Sequence, residues 1–184
     1  MSSPCARCPR LLGVSCCEVK PDEQLATLSW ADVERLRQAT GRKAEVYSEW
    51  EWMDPAQAQR WVGLHPRWAN YLGAAPRRLT LRREGGACVF HRPSGCSLPA
   101  AQRPTACRLY PFELRAEGGW GLQVDRFGSL DAARSSGEHA CLAVEEAESF
   151  EGLWAAFGTD SLALEALGRR WEQEAKEHGQ RERA

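Results

Sequence analysis

The sequence has few lysines, no long apolar runs and almost no net charge. Lys20, Lys43 and Lys176 are the only lysines among 24 basic residues, and 25 acidic residues bring the formal net charge to −1. A chain so close to neutral has no bulk attraction to nucleic acid, which is therefore not expected as a partner. No apolar run approaches the roughly 18 residues of a spanning helix, so a membrane is not expected either.

Two further absences bear on location and chemistry. The first residues show no basic segment followed by an apolar one, so there is no secretory pattern and we expect a cytoplasmic protein. Thiols stay reduced in that compartment, and eight cysteines in 184 residues then suit ligand or catalytic roles. Nucleotide-binding loops, the HExxH zinc pattern and recognisable catalytic triads are all missing.

Hydrophobic spacing predicts an α+β fold, a small and mainly helical domain with two short β-hairpins around a metal-stapled cysteine cluster. Ser29 and Asp32 form a capping-box pattern, and the apolar spacing after them predicts a helix that ends at Gly41. Asp54 followed by Pro55 predicts a second helix start. Pro66 should break or kink that helix.

Glycine pairs in the middle of the chain predict the two hairpins. Residues 79–82 and 87–90 flank the first pair, and residues 112–115 and 120–124 flank the second. The segment 91–111 between them is rich in Pro, Gly and Cys and is predicted to be a loop.

The C-terminal part is predicted to be helical again. Apolar spacing indicates one helix from Val144 through Trp154 and another from Leu164 through Trp171. The resulting organisation has three parts: a cysteine-cluster domain over 1–143, helices 144–171 packed on it, and a polar tail 172–184 that should fray.

The cysteines fall into an N-terminal group, a middle group and one outlier. They are Cys5, Cys8, Cys16 and Cys17, then Cys88, Cys96 and Cys107, and finally Cys141. The first two form a CxxC, a spacing that lets both sulfurs reach one metal from a tight turn. A thioredoxin-like redox pair is the alternative, but that pair needs a preceding strand, and none is predicted before residue 5.

Adjacent cysteines constrain the site further. The side chains of Cys16 and Cys17 diverge unless the backbone turns sharply, so the pair suits two neighbouring metals or a cluster better than one zinc ion. A buried thiol beside a ligand and a vicinal disulfide remain alternatives. Eight thiols divide into two sites of four, although other partitions stay open.

Arginines are concentrated around the middle cysteines. Residues 77–108 contain one glutamate against seven arginines, namely Arg77, Arg78, Arg82, Arg83, Arg92, Arg103 and Arg108. Zinc held by four thiolates carries a formal charge of about −2, which guanidinium groups would offset while donating hydrogen bonds to sulfur. We assign that role to Arg103 and Arg108, which lie close to Cys107 in sequence. A phosphate-binding patch and a solvated basic face are the alternatives.

These motifs together resemble the zinc- or iron-chelating cysteine-cluster proteins of the CxxCxxCC, or YkgJ-like, type. The resemblance covers about residues 5–112 and is strongest over residues 103–112, which read RPTACRLYPF. It implies that all seven cysteines of the N-terminal and middle groups are metal ligands, and it extends less clearly to Cys141. Members are often described as iron–sulfur oxidoreductases, and a similar cluster occurs in flagellin lysine methylases.

The chain departs from the family pattern in two places. Seven residues, Pro9–Ser15, separate Cys8 from Cys16 where the family has two, and Leu98-Pro99 stands where an Ile-Tyr pair is frequent. The first departure bears on whether Cys8 and Cys16 share a metal. His91 and His139 lie near cysteines and could each complete a site of three cysteines and one histidine, although a core or partly exposed histidine is favoured for both.

We therefore predict a metal-binding protein that holds zinc or an iron–sulfur cluster on its cysteines, in a structural or redox role. One alternative is an iron–sulfur oxidoreductase or an accessory enzyme linked to protein methylation. Another is a metal-handling module or a module that binds a protein partner. Because no acid or base near the cluster can be named from the sequence, catalytic residues and enzyme status stay open.

Overall fold

The computed structural model describes residues 26–114 and 141–184 continuously, together with residues 5, 7, 8, 17, 18, 120–122, 130, 131 and 135. It shows a mixed α+β arrangement of helices and small antiparallel β-pairs. The helices are α1 Trp30–Thr40, α2 Pro55–Leu64, α3 Thr105–Leu109, α4 Leu142–Glu146, α5 Phe150–Ala156 and α6 Ser161–Arg181. In the described ranges, no helix combines the length and apolarity needed to cross a bilayer.

The strands in the described residues are short, and 3₁₀ helices lie between several of the helices and strands. The strands are β1 Ser48–Trp52, β2 Arg77–Leu81, β3 Arg83–Glu84, β4 Ala87–Cys88, β5 His91–Arg92, β6 Gly95–Cys96, β7 Phe112–Leu114 and β8 Trp120–Leu122. The 3₁₀ helices are Ala44–Val46, Pro66–Tyr71 and Ala100–Gln102. The last turn of α2 thus gives way to a 3₁₀ helix at Pro66, where the sequence predicted an interruption.

Both predicted helix starts are confirmed by their caps. The Ser29 side chain accepts a hydrogen bond from the Asp32 backbone N–H, and the Asp32 side chain accepts one from the Ser29 backbone N–H. Asp54 and Gln57 form the same reciprocal pair at the start of α2. Gly41 ends α1 in the left-handed conformation at φ 66, which glycine adopts without a Cβ penalty.

The longest strand pair corrects the first hairpin. β2 does not return onto residues 87–90; it pairs antiparallel with β1, so that Ser48 faces Leu81 and Trp52 faces Arg77. Only β3 and β4 pair across the predicted turn at Gly85 and Gly86. Alternating apolar residues indicate a strand but not its partner, and the five-residue ladder with β1 provides more pairing than the local hairpin.

The second hairpin is confirmed, whereas the loop predicted between the hairpins is not a plain loop. β7 and β8 pair with Phe112 opposite Leu122, and the turn between them lies outside the described residues. Within the segment 91–111, β5 and β6 form a further two-residue pair whose turn includes Gly95 at φ 98. The same segment also contains the helix α3.

The predicted single helix over residues 144–154 is two helices. α4 ends at Glu146, and the backbone at Ala147 is extended. Ser149 then begins α5, because its side chain accepts a hydrogen bond from the Gly152 backbone N–H. A serine at an N-cap position offers the backbone an alternative to continuing the helix, which explains the break.

The polar stretch 172–184, expected to fray, is instead largely helical and packed. α6 continues to Arg181, and its last turns bury Ala175, His178 and Gly179. These turns lie against the 3₁₀ helix Pro66–Tyr71, and the absence of a side chain at Gly179 permits the close approach. Composition alone did not reveal this face, because most of the other residues in the stretch are charged or polar.

Buried side chains form two clusters. The larger lies between α6, α5, α4 and the β7–β8 pair, and includes Tyr71, Phe112, Leu153, Leu164 and Trp171. The smaller lies beneath the β1–β2 pair and includes Leu28, Leu36, Tyr47, Leu79 and Phe90. Cys88 belongs to the smaller cluster, whereas Cys141 belongs to the larger one.

Alanine at Gly179 should destabilise the fold. Its Cβ would collide with the backbone carbonyl oxygen of Asn70, which cannot rotate away as a side chain could. We expect a loss of about 1–3 kcal/mol in the free energy of unfolding. The control is Gly63→Ala in α2, where a Cβ meets nothing within 4 Å. This substitution should raise the free energy of unfolding by about 0.5–1 kcal/mol. Urea unfolding measures both, and a Gly179→Ala variant as stable as the parent protein would contradict this packing.

His178 is a buried imidazole near the end of α6. It is 1% exposed, and neither ring nitrogen has a hydrogen-bond partner among the residues that the structure describes. Its ring stacks on Tyr71 with centroids 4.1 Å apart and on Trp30 at 5.6 Å. Burial lowers the pKa of His178 to about 4; Glu182 opposes this shift, and Arg181 adds to it.

This imidazole should make stability depend on pH. The unfolded chain takes up a proton near pH 6.5 whereas the folded chain does so near pH 4, so the free energy of unfolding falls as the pH falls through that window. The slope contributed by His178 is at most about 1.4 kcal/mol per pH unit. His178→Phe keeps a ring in the stack and should lose less stability between pH 7 and pH 5. Equal losses in the two proteins, measured by urea unfolding, would count against a buried neutral His178.

Candidate metal centre

The first thiol group forms where the short hairpins meet residues 17 and 18. Cys88 ends β4 and Cys96 ends β6. The Cys88 backbone N–H donates to the carbonyl oxygen of Cys17 over 2.7 Å, and Glu18 forms an antiparallel bridge with Ala87. Residues 17 and 18 therefore lie beside β4 like a further strand, which brings the N-terminal and middle cysteine groups together.

Cys107, on α3, is the fourth member of this group. Burial raises the pKa of the Cys107 thiol well above its usual value, and the charges of Cys17, Cys88 and Cys96 act in the same direction. Burial also raises the pKa of Cys88 to about 12, with further contributions from Cys17 and Cys96. The four thiols are therefore within electrostatic range of one another.

Backbone donors point at one of these sulfurs. The N–H groups of Phe90 and His91 hydrogen-bond to the Cys88 thiol and partly offset the effect of burial on its pKa. Donors aimed at sulfur favour the thiolate over the thiol, and the thiolate is the form that binds metal. His91 lies on β5 opposite Cys96, and its Nε2 is buried with no hydrogen-bond partner in the described part of the chain.

Cys5, Cys8 and Cys141 form a second group. Burial raises the pKa of Cys141 to about 11; the N–H groups of Val144 and Ala143 oppose this shift, and the charges of Cys5 and Cys8 add to it. Burial also raises the pKa of Cys5, which interacts with both Cys8 and Cys17. Cys5 therefore connects the two groups, and the outlying Cys141 lies close to the CxxC.

The two arginines assigned to the site lie in different surroundings. The Arg103 guanidinium hydrogen-bonds to the Cys5 thiol, lowering its pKa against the larger effect of burial, and its Nε also donates to the carbonyl oxygen of Leu98 over 3.2 Å. Arg108 is half-buried among other charged side chains, Arg35 and Arg170 on one hand and Asp32 and Glu174 on the other. Burial lowers the pKa of Arg108, and the carboxyls of Asp32 and Glu174, which oppose that shift, belong to a polar cluster.

That polar cluster is a feature the sequence analysis missed. It is formed by Ser29, Asp32, Arg35, Thr105 and Glu174, and all except Arg35 are less than a tenth exposed. The sequence signalled only the capping box of Ser29 and Asp32. Nothing in the local pattern indicated that Thr105 and Glu174 would come to the same place.

The described cysteines approach one another without reaching ligand geometry. All seven are free thiols. Among the residues that the structure describes, no three His, Cys, Asp or Glu side chains are close enough to hold a metal ion. Cys16 and His139 lie outside the described residues, so the vicinal pair of Cys16 and Cys17 stays a prediction.

Comparisons with protein-family models, with curated proteins and with solved structures find no match for this chain. The likeness to the YkgJ-like proteins therefore rests on the motif residues alone.

The contrast between the two arginines can be tested on Cys5. Arg103→Ala removes a guanidinium from the Cys5 thiol, so the pKa of that thiol should rise further. Its alkylation by iodoacetamide at pH 8 should then slow by about threefold per pKa unit, because the thiolate fraction falls while the remaining thiolate becomes more nucleophilic. Arg108→Ala is the matched control and should leave that rate unchanged. The measurement is mass spectrometry of the Cys5 peptide from reduced, chelator-treated protein. Equal rates in the two variants would contradict the contact between Arg103 and Cys5.

Proposed function

We propose that this chain is a metal-binding cysteine-cluster protein that holds zinc or an iron–sulfur cluster, as the YkgJ-like resemblance implies. The observation that carries the proposal is the coupling of Cys17, Cys88, Cys96 and Cys107. These thiols come from three separate segments, yet each of the buried ones interacts with the others. The same four cysteines also meet in the smaller buried cluster, where Cys17, Cys96 and Cys107 pack around Cys88, and a shared metal site needs thiols brought together in this way.

The chemistry of the donors fits a thiophilic metal. Raised pKa values keep Cys88 and Cys107 protonated at neutral pH, and their proximity to other thiols adds to the cost of ionising them. A bound cation reverses that balance, because it stabilises the thiolates and displaces their protons. Soft thiolate ligands select zinc or iron–sulfur clusters over hard cations such as Mg²⁺. Such a group would crosslink the segments and, as an iron–sulfur cluster, would also carry electrons.

The grouping supports two sites rather than one. Cys17, Cys88, Cys96 and Cys107 supply four thiols, the number that tetrahedral zinc takes. Cys5, Cys8 and Cys141 supply three more. This division also accounts for the long spacing after Cys8, because Cys8 and Cys17 then belong to different sites and need not lie within one tight turn.

A structural role is favoured within this proposal. β3 to β6 have only two residues each, and a two-stranded ribbon is marginally stable by itself. A metal crosslink would supply the order that such short strands cannot. Free thiols in this number also suit a reducing compartment, which supports a cytoplasmic location.

Cobalt(II) reconstitution tests the proposal. The anaerobically purified protein should contain zinc or iron, and the chelated protein should bind Co²⁺ with the absorption bands of thiolate ligands. Cys107→Ser should lose most of that absorption. Ala106→Ser is the matched control, because it also adds a hydroxyl to buried α3 but leaves every thiol in place.

Two results would overturn the proposal. One is a parent protein that holds no metal and gives no thiolate absorption with Co²⁺. The other is a Cys107→Ser variant with the same cobalt spectrum and affinity as Ala106→Ser.

A further inference from the structure

Two carboxylates are buried together at the junction of α1, α3 and α6. Asp32 lies in the first turn of α1, Glu174 in the middle of α6, and Thr105 begins α3; these residues are 0%, 6% and 0% exposed. The Arg35 guanidinium contacts both carboxylates, reaching Glu174 over 3.0 Å. Buried carboxylates are costly unless each oxygen finds donors, so the donors here are informative.

The hydrogen-bond donors around the two carboxyl groups can be assigned one by one. The backbone N–H groups of Ser29 and Thr105 donate to the two Asp32 oxygens over 3.0 and 2.8 Å. The Ser29 and Thr105 hydroxyls lie 3.0 and 3.1 Å from the same Glu174 oxygen and 3.1 and 3.3 Å from Asp32 oxygens, and each has only one proton to give. Because Asp32 already receives backbone N–H donors and Arg35, both hydroxyls are free to donate to Glu174.

We infer that Thr105 is a positioning residue for the metal centre, and that it holds the cysteine-bearing helix α3 against α6. The inference rests on the proposed function. α3 has five residues, too few to be stable by its own hydrogen bonds, and Cys107 is in its middle. The Thr105 backbone N–H ties the start of α3 to Asp32, and the Thr105 hydroxyl ties it to Glu174.

The C-terminal helix therefore takes part in the site without supplying a ligand. Glu174 receives the Thr105 hydroxyl on one oxygen, while Arg35 and Arg170 donate to the other over 3.0 and 2.9 Å. A shift of α6 would carry Glu174 with it and break its contact with the Thr105 hydroxyl, which helps to orient α3. The orientation of Cys107 toward Cys17 and Cys88 then depends on a helix distant in sequence.

The experiment compares metal release from three variants. In Thr105→Val, valine has nearly the same shape as threonine but lacks the hydroxyl, whereas Thr105→Ser keeps the hydroxyl. Ser29→Ala is the matched control, because it also removes one hydroxyl from the same Glu174 oxygen but lies on α1 rather than on α3. The readouts are the rate at which a chelator removes Co²⁺, the thiolate absorption of the cobalt protein, and the free energy of unfolding of the metal-free protein.

We expect Thr105→Val to release Co²⁺ about tenfold faster than the parent protein, a loss of the size seen when groups that orient ligands are removed. Thr105→Ser and Ser29→Ala should release it at nearly the parent rate, even though Ser29→Ala also loses a helix cap. If Thr105→Val does not fold, Glu174→Gln provides the same comparison from α6.

Equal release from Thr105→Val and Ser29→Ala would overturn the inference, because the cluster would then act only on overall stability. A Thr105→Ser variant that releases Co²⁺ as fast as Thr105→Val would overturn it as well. Both results require a parent protein that binds cobalt. A parent protein that binds none refutes the proposed function instead, so the two failures are distinguishable.

Discussion

Two buried carboxyl groups, those of Asp32 and Glu174, constrain the rest of this structure. Their burial is tolerable only while donors from three different helices surround them, so α1, α3 and α6 must meet at one point. Asp32 serves twice, since the same carboxylate caps α1 and receives the Thr105 backbone N–H. Loosening any one of the helices would leave a carboxylate short of donors in the interior.

The group of Cys17, Cys88, Cys96 and Cys107 lies beside the shortest strands of the described fold. β3 to β6 have two residues each, and Cys17 and Glu18 contact β4 through a backbone hydrogen bond and an antiparallel bridge. Apolar packing also reaches these thiols, because Cys88 belongs to the buried cluster beneath β1–β2 and the other three cysteines pack against it. Under the proposed function, a metal crosslink would add to that packing, whereas the helices are held by burial and by their caps.

Arg103 and Arg108 differ in their surroundings, although both lie within four residues of Cys107 and both were assigned to the sulfurs on that ground. The Arg103 guanidinium hydrogen-bonds to the thiol of Cys5, which is remote in sequence. Burial lowers the pKa of Arg108, and the charges of Asp32 and Glu174 oppose that shift. The place of Arg108 beside the sulfurs stays a prediction, because proximity in sequence does not specify which side chains meet.

The sequence by itself determined the features that depend on a few consecutive residues. The capping boxes at Ser29 and Asp54, the left-handed Gly41 and the turn at Gly85 were all predictable, because each hydrogen bond or backbone angle is settled within about four residues. The spacing also showed the cysteine groups, whose role in metal binding stays a prediction.

Only the tertiary structure decided which distant segments meet. The partner of β2, the burial of α6 beyond Trp171, and the placement of Cys141 beside the CxxC were wrong or absent in the prediction. Alternating or helical periodicity identifies a face that will be buried but not the surface that buries it. Glu174 illustrates the reason: in sequence it is one charge in a polar helix, and only its contacts with Thr105 and Ser29 make it part of the interior.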